Sequence, residues 1–153
     1  PSLDDFGYYV FNLTAGEHHI RLTFPLEIEL YAAHENVSAD AGKLSVQRGP
    51  IVYCAEGLDQ DFNLFQANLQ VDRDPKGLPR LTDAKLVEET IEGQSFPGIH
   101  TTVAVYDYEG WPEESLYHRY LPEIKKHKMT MIPYAYFANR EESSMQVWFN
   151  YLN

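Results

Sequence analysis

The run His19-Ile20-Arg21-Leu22-Thr23-Phe24-Pro25-Leu26-Glu27-Ile28-Glu29-Leu30 decides the fold class. Ile20, Leu22 and Phe24 alternate with His19, Arg21 and Thr23, and beyond Pro25 the apolar Leu26, Ile28 and Leu30 alternate with Glu27 and Glu29. Successive side chains of a strand point to opposite faces, so this period of two describes two half-buried strands. Further strands are predicted at Phe6–Asn12, Lys43–Gln47, Ile51–Glu56, Ile99–Tyr108, Ser115–Leu121, Lys128–Ile132 and Met145–Phe149, most of them bounded by Gly, Pro, Asn or Asp. No segment carries a long 3.6-residue pattern with caps; Lys85–Glu92 suits a short helix, but Thr90 and Ile91 suit a strand as well. Gln66–Asp83, with Asp72-Arg73-Asp74-Pro75-Lys76-Gly77 and Leu78-Pro79, is expected to be a long surface loop inside one domain. Many short strands between turn signals predict an all-β chain, an antiparallel β-sandwich or jelly roll, with residues 1–153 forming a single domain.

Composition narrows the function classes. Twelve basic against 23 acidic side chains give a net charge of −11 over 153 residues, too acidic for electrostatic binding of nucleic acid or an anionic membrane surface. No apolar stretch reaches the 18 residues or so that a membrane-spanning helix needs. The single cysteine, Cys54, excludes an internal disulfide framework and a multi-cysteine metal site. The start at Pro1, without an initiator Met or a signal pattern, suggests a piece of a longer protein, and the sequons at Asn12 and Asn36 are read as chance matches.

Candidate chemistry is sparse. Gly93-Gln94-Ser95-Phe96-Pro97-Gly98 places its second glycine one residue too late for a nucleophile elbow, and His34-Glu35-Asn36-Val37-Ser38 has Ser where a zinc-binding helix needs its second His. Asp72, Asp74 and Gly77 mimic the start of a calcium loop, but Lys76 occupies the fifth ligand position. His18 and His19 are adjacent in a presumed strand and would point to opposite faces. Choosing a glycosidase pair among the carboxylates would be arbitrary, so no catalytic residue and no metal ligand is assigned. Cys54, within Ile51-Val52-Tyr53-Cys54-Ala55, is expected to be a buried packing residue with a raised thiol pKa. Lys125-Lys126-His127-Lys128 is read as a solvated strand edge.

Three features point to surfaces. In Tyr106-Asp107-Tyr108-Glu109-Gly110-Trp111-Pro112-Glu113-Glu114, rings among acids suit stacking on a sugar, docking onto a neighbouring domain, or plain loop packing; Trp111, Tyr106 and Tyr108 are the candidate carbohydrate-binding residues. Gln47-Arg48-Gly49-Pro50 and Ala138-Asn139-Arg140 are predicted corners, in which Arg48 and Arg140 are candidates for bidentate anchoring of a partner carboxylate across a domain interface.

The run Asp40-Ala41-Gly42-Lys43-Leu44-Ser45-Val46-Gln47-Arg48-Gly49-Pro50-Ile51-Val52-Tyr53-Cys54-Ala55-Glu56-Gly57-Leu58-Asp59 resembles the signature of the bacterial beta-L-arabinofuranosidase family, glycoside hydrolase family 127. Ile132-Pro133-Tyr134-Ala135-Tyr136-Phe137-Ala138-Asn139-Arg140 followed by Met145-Gln146-Val147-Trp148 resembles that family's C-terminal end, and Leu22-Thr23-Phe24-Pro25-Leu26 fits the strand and proline leading into the signature. The sequence departs from the pattern at Glu141, where a glycine is expected, and at Ala33-His34-Glu35, where Asn-Pro is expected.

The resemblance implies the C-terminal β-sandwich portion of a larger enzyme, whose helical (α/α) barrel carries a zinc-bound cysteine nucleophile and catalytic glutamates. None of those residues maps onto this chain; Cys54 matches a sandwich strand position. It further implies a non-catalytic accessory domain, without a cofactor of its own, bracing the barrel of the same polypeptide; the compartment, bacterial cytoplasm or periplasm, stays open. The alternative is a carbohydrate-binding module that takes glycan at the Trp111 loop.

Overall fold

A computed structural model of the chain describes residues 2–153. It is all-β: twelve strands and three single 3₁₀ turns, at Gly57–Asp59, Leu64–Gln66 and Tyr134–Tyr136. In order the strands are β1 Ser2–Leu3, β2 Tyr9–Val10, β3 Ile28–Ala32, β4 Leu44–Arg48, β5 Ile51–Glu56, β6 Ala67–Arg73, β7 Pro79–Leu81, β8 Lys85–Ile91, β9 Gln94–Asp107, β10 Glu123–Pro133, β11 Met145–Gln146 and β12 Trp148–Leu152.

The ladders form a six-stranded, barrel-like closure, β4–β5–β10–β9–β6–β12 and back to β4, rather than two clearly separate sandwich layers. Each junction of the ring is antiparallel except β6 with β12, where Asn68–Gln70 run parallel to Asn150–Leu152. β4 and β5 stay paired from the turn to Val46↔Tyr53, and Met145–Phe149 then fits into the opening between them, with Met145 opposite Glu56 and Trp148 opposite Ser45. β3, β7 and β8 extend the sheet outside the ring.

The period of two fills the ring. Leu44 and Val46, Tyr53 and Ala55, Ala67, Leu69 and Val71, Ile99, Val103 and Val105, Met129 and Met131, and Phe149 form one buried cluster, which removes roughly 25 cal/mol of unfavourable hydration per Å² of apolar surface. The opposite face of β5, β9 and β10 carries Cys54, Phe96 and Ile132, covered with Ile91 by Tyr136, Phe137, Met145 and Val147. Phe96 and Tyr136 stack there with centroids 4.3 Å apart.

Two turns explain local geometry. Gly49 stands at φ +58 between the paired Arg48 and Ile51, the glycine-first pattern of a two-residue type II′ hairpin, and a Cβ at Gly49 would come within 2.4 Å of Leu26 Cδ2. Glu92 and Gly93, both at positive φ, link Ile91 to Gln94 as a type I′ turn asks. That turn resolves Lys85–Glu92 as strand β8.

Several expectations are corrected. Gln66–Asp83 is not a loop: Ala67, Leu69 and Val71 alternate with Asn68, Gln70 and Asp72 in β6, which pairs with β7 across the Asp74–Leu78 turn. The polar partners and small Ala67 disguised the period. Ser115–Leu121 forms no strand, Phe6–Asn12 contributes only the short β2, and His19–Phe24 forms no strand among the described residues. Residues 2–25 place no side chain in either core cluster.

Candidate functional site: an ion-pair clamp, an aromatic loop and a mouth

Glu56 ends β5 with no exposed surface. A buried carboxylate demands donors, and two reach it: the Ala138 N–H, 3.1 Å from Oε1, and Arg140 Nη2, against Oε2. The same guanidinium forks onto Asp59, with Nη1–Oδ1 and Nη2–Oδ2 both 2.7 Å. The Asp59 hydrogen bonds, with those of Glu56, outweigh burial and raise the Arg140 pKa above its already high value. Gly57 N–H donates to Ser144 O and Leu58 N–H to Ser143 Oγ, so the Ala138–Ser144 loop is fastened to the end of β5 at four points. Ala138 is held at φ +61, a conformation that costs a non-glycine residue about 1–2 kcal/mol. The left-handed residue of the predicted Ala138-Asn139-Arg140 corner is Ala138.

The fork of Arg140, expected to anchor a partner's carboxylate, is engaged within this chain by Asp59 and Glu56. Arg48 sits half-buried at the Gly49 turn beside Tyr53, and its Nε is buried without a partner. Burial raises the Tyr53 pKa, opposed by the Arg48 charge, and the Tyr53 hydroxyl donates to Pro97 O at 2.7 Å. Cys54 has no exposed surface, and desolvation, reinforced by the Glu56 and Asp59 charges, pushes its thiol up to about 12. It is a packing thiol, not a nucleophile.

The Trp111 loop folds around its own indole. Nε1–H donates to Ser115 O at 2.6 Å, and Tyr108, Tyr120 and His118 meet the ring edge-on with centroids 5.7, 5.6 and 6.2 Å away. Beyond this knot Leu116, Tyr117 and Leu121 are 89%, 92% and 89% exposed. Tyr106 and Tyr108 border a different feature, a cleft of about 420 Å³ with Phe62, Asn63, Gln66, Asp107, Lys125 and His127, which Trp111 does not line. Here the ring opens: alternate positions of β10 change from Met131 and Met129 to His127 and Lys125, and those of β9 from Val105 to Asp107. Lys125 Nζ is 2.6 Å from Asp107 and 3.2 Å from Glu109, and His127 Nδ1 is 3.1 Å from Asp61. The Lys125 hydrogen bond, then the Glu109 N–H, holds the Asp107 carboxyl below the usual range. Charges and rings at a barrel mouth suit a small polar ligand.

Other sequence candidates are spent locally. Asp74 Oδ1 accepts from Lys76 and Leu78 N–H, closing its own turn rather than facing a cation. His18 contacts Thr14 O, and His19 lies exposed beside Glu17. Among the described residues no group of three or more His, Cys, Asp or Glu side chains is placed to hold a metal ion. The described residues offer no set that fits the zinc-bound thiolate chemistry implied for a catalytic barrel, and the Cys54 thiol is held protonated by burial. Glu56 and Asp59, the centre of the clamp, were not singled out from sequence. Their one signal is their place in the Ala55-Glu56-Gly57-Leu58-Asp59 run, where an acid completes a buried strand.

The fold has counterparts among known proteins. Residues 28–150 match the family model described as the glycoside hydrolase family 127 C-terminal domain. A non-reducing end beta-L-arabinofuranosidase of Bifidobacterium longum subsp. longum is 39% identical over 67 residues, covering 43% of this chain and 10% of that protein. The crystal structure of a GH127 beta-L-arabinofuranosidase from Geobacillus stearothermophilus T6 overlays with a TM-score of 0.67 at 34% identity, over 84% of this chain and 19% of that one. A GH127 beta-arabinofuranosidase overlays at 0.62 and 28% identity, over 82% and 17%. The chain thus spans a tenth to a fifth of the length of these relatives.

Proposed function

Because the chain belongs to glycoside hydrolase family 127, as its C-terminal domain, we propose that it is a non-catalytic accessory domain that braces the helical catalytic barrel of a beta-L-arabinofuranosidase-like glycoside hydrolase. The observation that carries this reading is the tip of the β9–β10 loop, where Leu116, Tyr117 and Leu121 stand almost fully in water although the Trp111 knot behind them is firmly packed. A rigid base with a bare apolar tip is the form of a docking contact. The reading also accounts for the carboxylates of the clamp: Glu56 and Asp59 turn their oxygens onto Arg140 and Ala138, so this pair shapes a corner rather than offering an acid and a base. The test is thermal unfolding of the domain joined to its barrel and of each part alone. Joined parts should melt together and higher; separate, unshifted transitions would reject bracing.

A second reading is favoured by the cleft beside Tyr106 and Tyr108: a carbohydrate-binding module taking a glycan unit at the ring mouth, against Phe62 and alongside the Asp107–Lys125 ion pair. The Trp111 indole, enclosed by its own loop, would support the Tyr108 wall. Calorimetric titration with arabinan-derived oligosaccharides distinguishes this reading, and no heat at millimolar ligand would reject it.

A further inference from the structure

The inner face of β4 ends on a charge. Leu44 and Val46 point into the core, and the next residue of that face is Arg48, opposite Ile28 in β3 and Ile51 in β5. Both isoleucines pack against the core, so the guanidinium is carried on an apolar rim and Arg48 stays half-buried, with its Nε out of water and without a hydrogen-bond partner. The other arginines are accounted for: Arg140 forks onto Asp59 and Glu56, Arg80 meets Asp72, Arg73 donates to Gly77 O, and Arg21 and Arg119 stand in water. Arg48 has neither an acid within 4.0 Å among the described residues nor full exposure. The Tyr53 hydroxyl beside it gives its proton to Pro97 O at 2.7 Å, and a neutral oxygen does not balance a cation. Withdrawing a guanidinium from water without an anion is costly, and an apolar side chain would close this end of the core without that cost.

We propose that Arg48 is a docking anchor: it takes, as a bidentate pair, the carboxylate of an Asp or Glu in another part of the same polypeptide, outside these 153 residues. The planar fork of guanidinium donors matches the two oxygens of a carboxylate. The setting selects a side chain over a free anion, because the Gly49–Pro50 turn is a protruding corner with Pro50 exposed, a shape that enters another surface instead of enclosing a small ion. The corner is also rigid. Gly49 stands at φ +58 with Leu26 against it, so Arg48 is delivered to one place and loses little freedom on pairing. The relatives contain chain that can supply the acid, since this one spans 17–19% of the solved enzymes. The proposal rests on the reading that the domain works within a longer glycoside hydrolase, but it concerns the β4–β5 corner and not the β9–β10 tip.

Carbodiimide coupling tests it, because the reagent joins an amine to a carboxylate in contact with it. In the full-length protein carrying Arg48→Lys, mass spectrometry should find the introduced amine linked to an Asp or Glu outside these 153 residues. Linkage to an acid within them, in the same chain or in a second copy, or no linkage at all, would overturn the proposal. Phenylglyoxal labelling of the unsubstituted protein checks the same point without a variant: Arg48 should react at least about tenfold more slowly in the full-length protein than in the 153-residue chain, and equal rates would refute it. Arg48→Met should leave the urea midpoint of the 153-residue chain unchanged or higher; a lower midpoint would give the guanidinium a role inside this chain and sink the proposal. Arg119, between the exposed Tyr117 and Leu121, reports the bracing contact in the same labelling. Protection of Arg48 alone would reject the tip as the brace, and protection of Arg119 alone would reject this inference.

Discussion

Removing the Arg140 guanidinium is the sharpest perturbation of this domain. Arg140→Ala leaves Glu56, which has no exposed surface, with the Ala138 N–H as its remaining donor, and also strips the bidentate partner from Asp59. Breaking a buried pair from one side costs about 3–5 kcal/mol, because an uncompensated charge stays behind. Arg140 itself is 27% exposed and Asp59 19%, so water enters the vacated site and the lower half of that range applies. A loss of about 3 kcal/mol is a large fraction of the roughly 5–15 kcal/mol that holds a domain together, and corresponds to a melting midpoint about 6–12 °C lower. Equilibrium urea unfolding of the 153-residue chain, followed by tryptophan fluorescence, measures it; Trp148 lies in β12, three residues after the β11 start that pairs with Glu56. The double substitution Glu56→Leu, Arg140→Met removes both charges and should be less destabilised than Arg140→Ala alone. A loss under about 1 kcal/mol for R140A, or a double variant worse than the single one, would refute the account of the clamp.

Two further outcomes follow from the turn and the thiol. Gly49→Ala forces a left-handed angle and a contact with Leu26, and should cost about 1–2 kcal/mol in urea unfolding; trimming Leu26 to Ala in the same background should not restore it, because the strain is in the backbone. The Cys54 thiol, pushed to about 12 when folded, ionises first in the unfolded chain, so its contribution is complete below about pH 9 and drains away between there and pH 12. By pH 10.5 the wild type should lose about 2 kcal/mol relative to Cys54→Ala; parallel pH profiles of the two proteins would contradict this.

The strands legible in the sequence are those whose inward residues are large and β-branched or aromatic: Val46 in β4, Tyr53 in β5, Val103 and Val105 in β9. β6 was hidden because Ala67 and the amides of Asn68 and Gln70 blur the alternation, and its placement depends on β12, some 80 residues later, lying parallel to it. His19–Phe24 fails in the opposite sense. Its alternation is clear, but periodicity says that a face must be covered and not by which layer. Cys54 was legible from its apolar neighbours alone. The clamp was not, since Glu56 and Arg140 are 84 residues apart and only the meeting of β5 with the loop before β11 brings them together. The aromatic loop announced rings and acids, yet which ring turns inward is fixed by the Ser115 carbonyl that claims the Trp111 N–H.

The parallel seam between β6 and β12 also dictates an order of events during synthesis. Leu44–Ser45 and Asn68–Gln70 leave the ribosome well before Trp148–Leu152 exist to join them. Until then two sheet edges and the cavity that Phe149 will fill stand open to water and to other nascent chains, and none of β3 to β10 can seal them. A chain released before Trp148 would be an aggregation seed rather than a weakened domain, and a stall placed just before Trp148 should be the stage at which chaperones hold it longest.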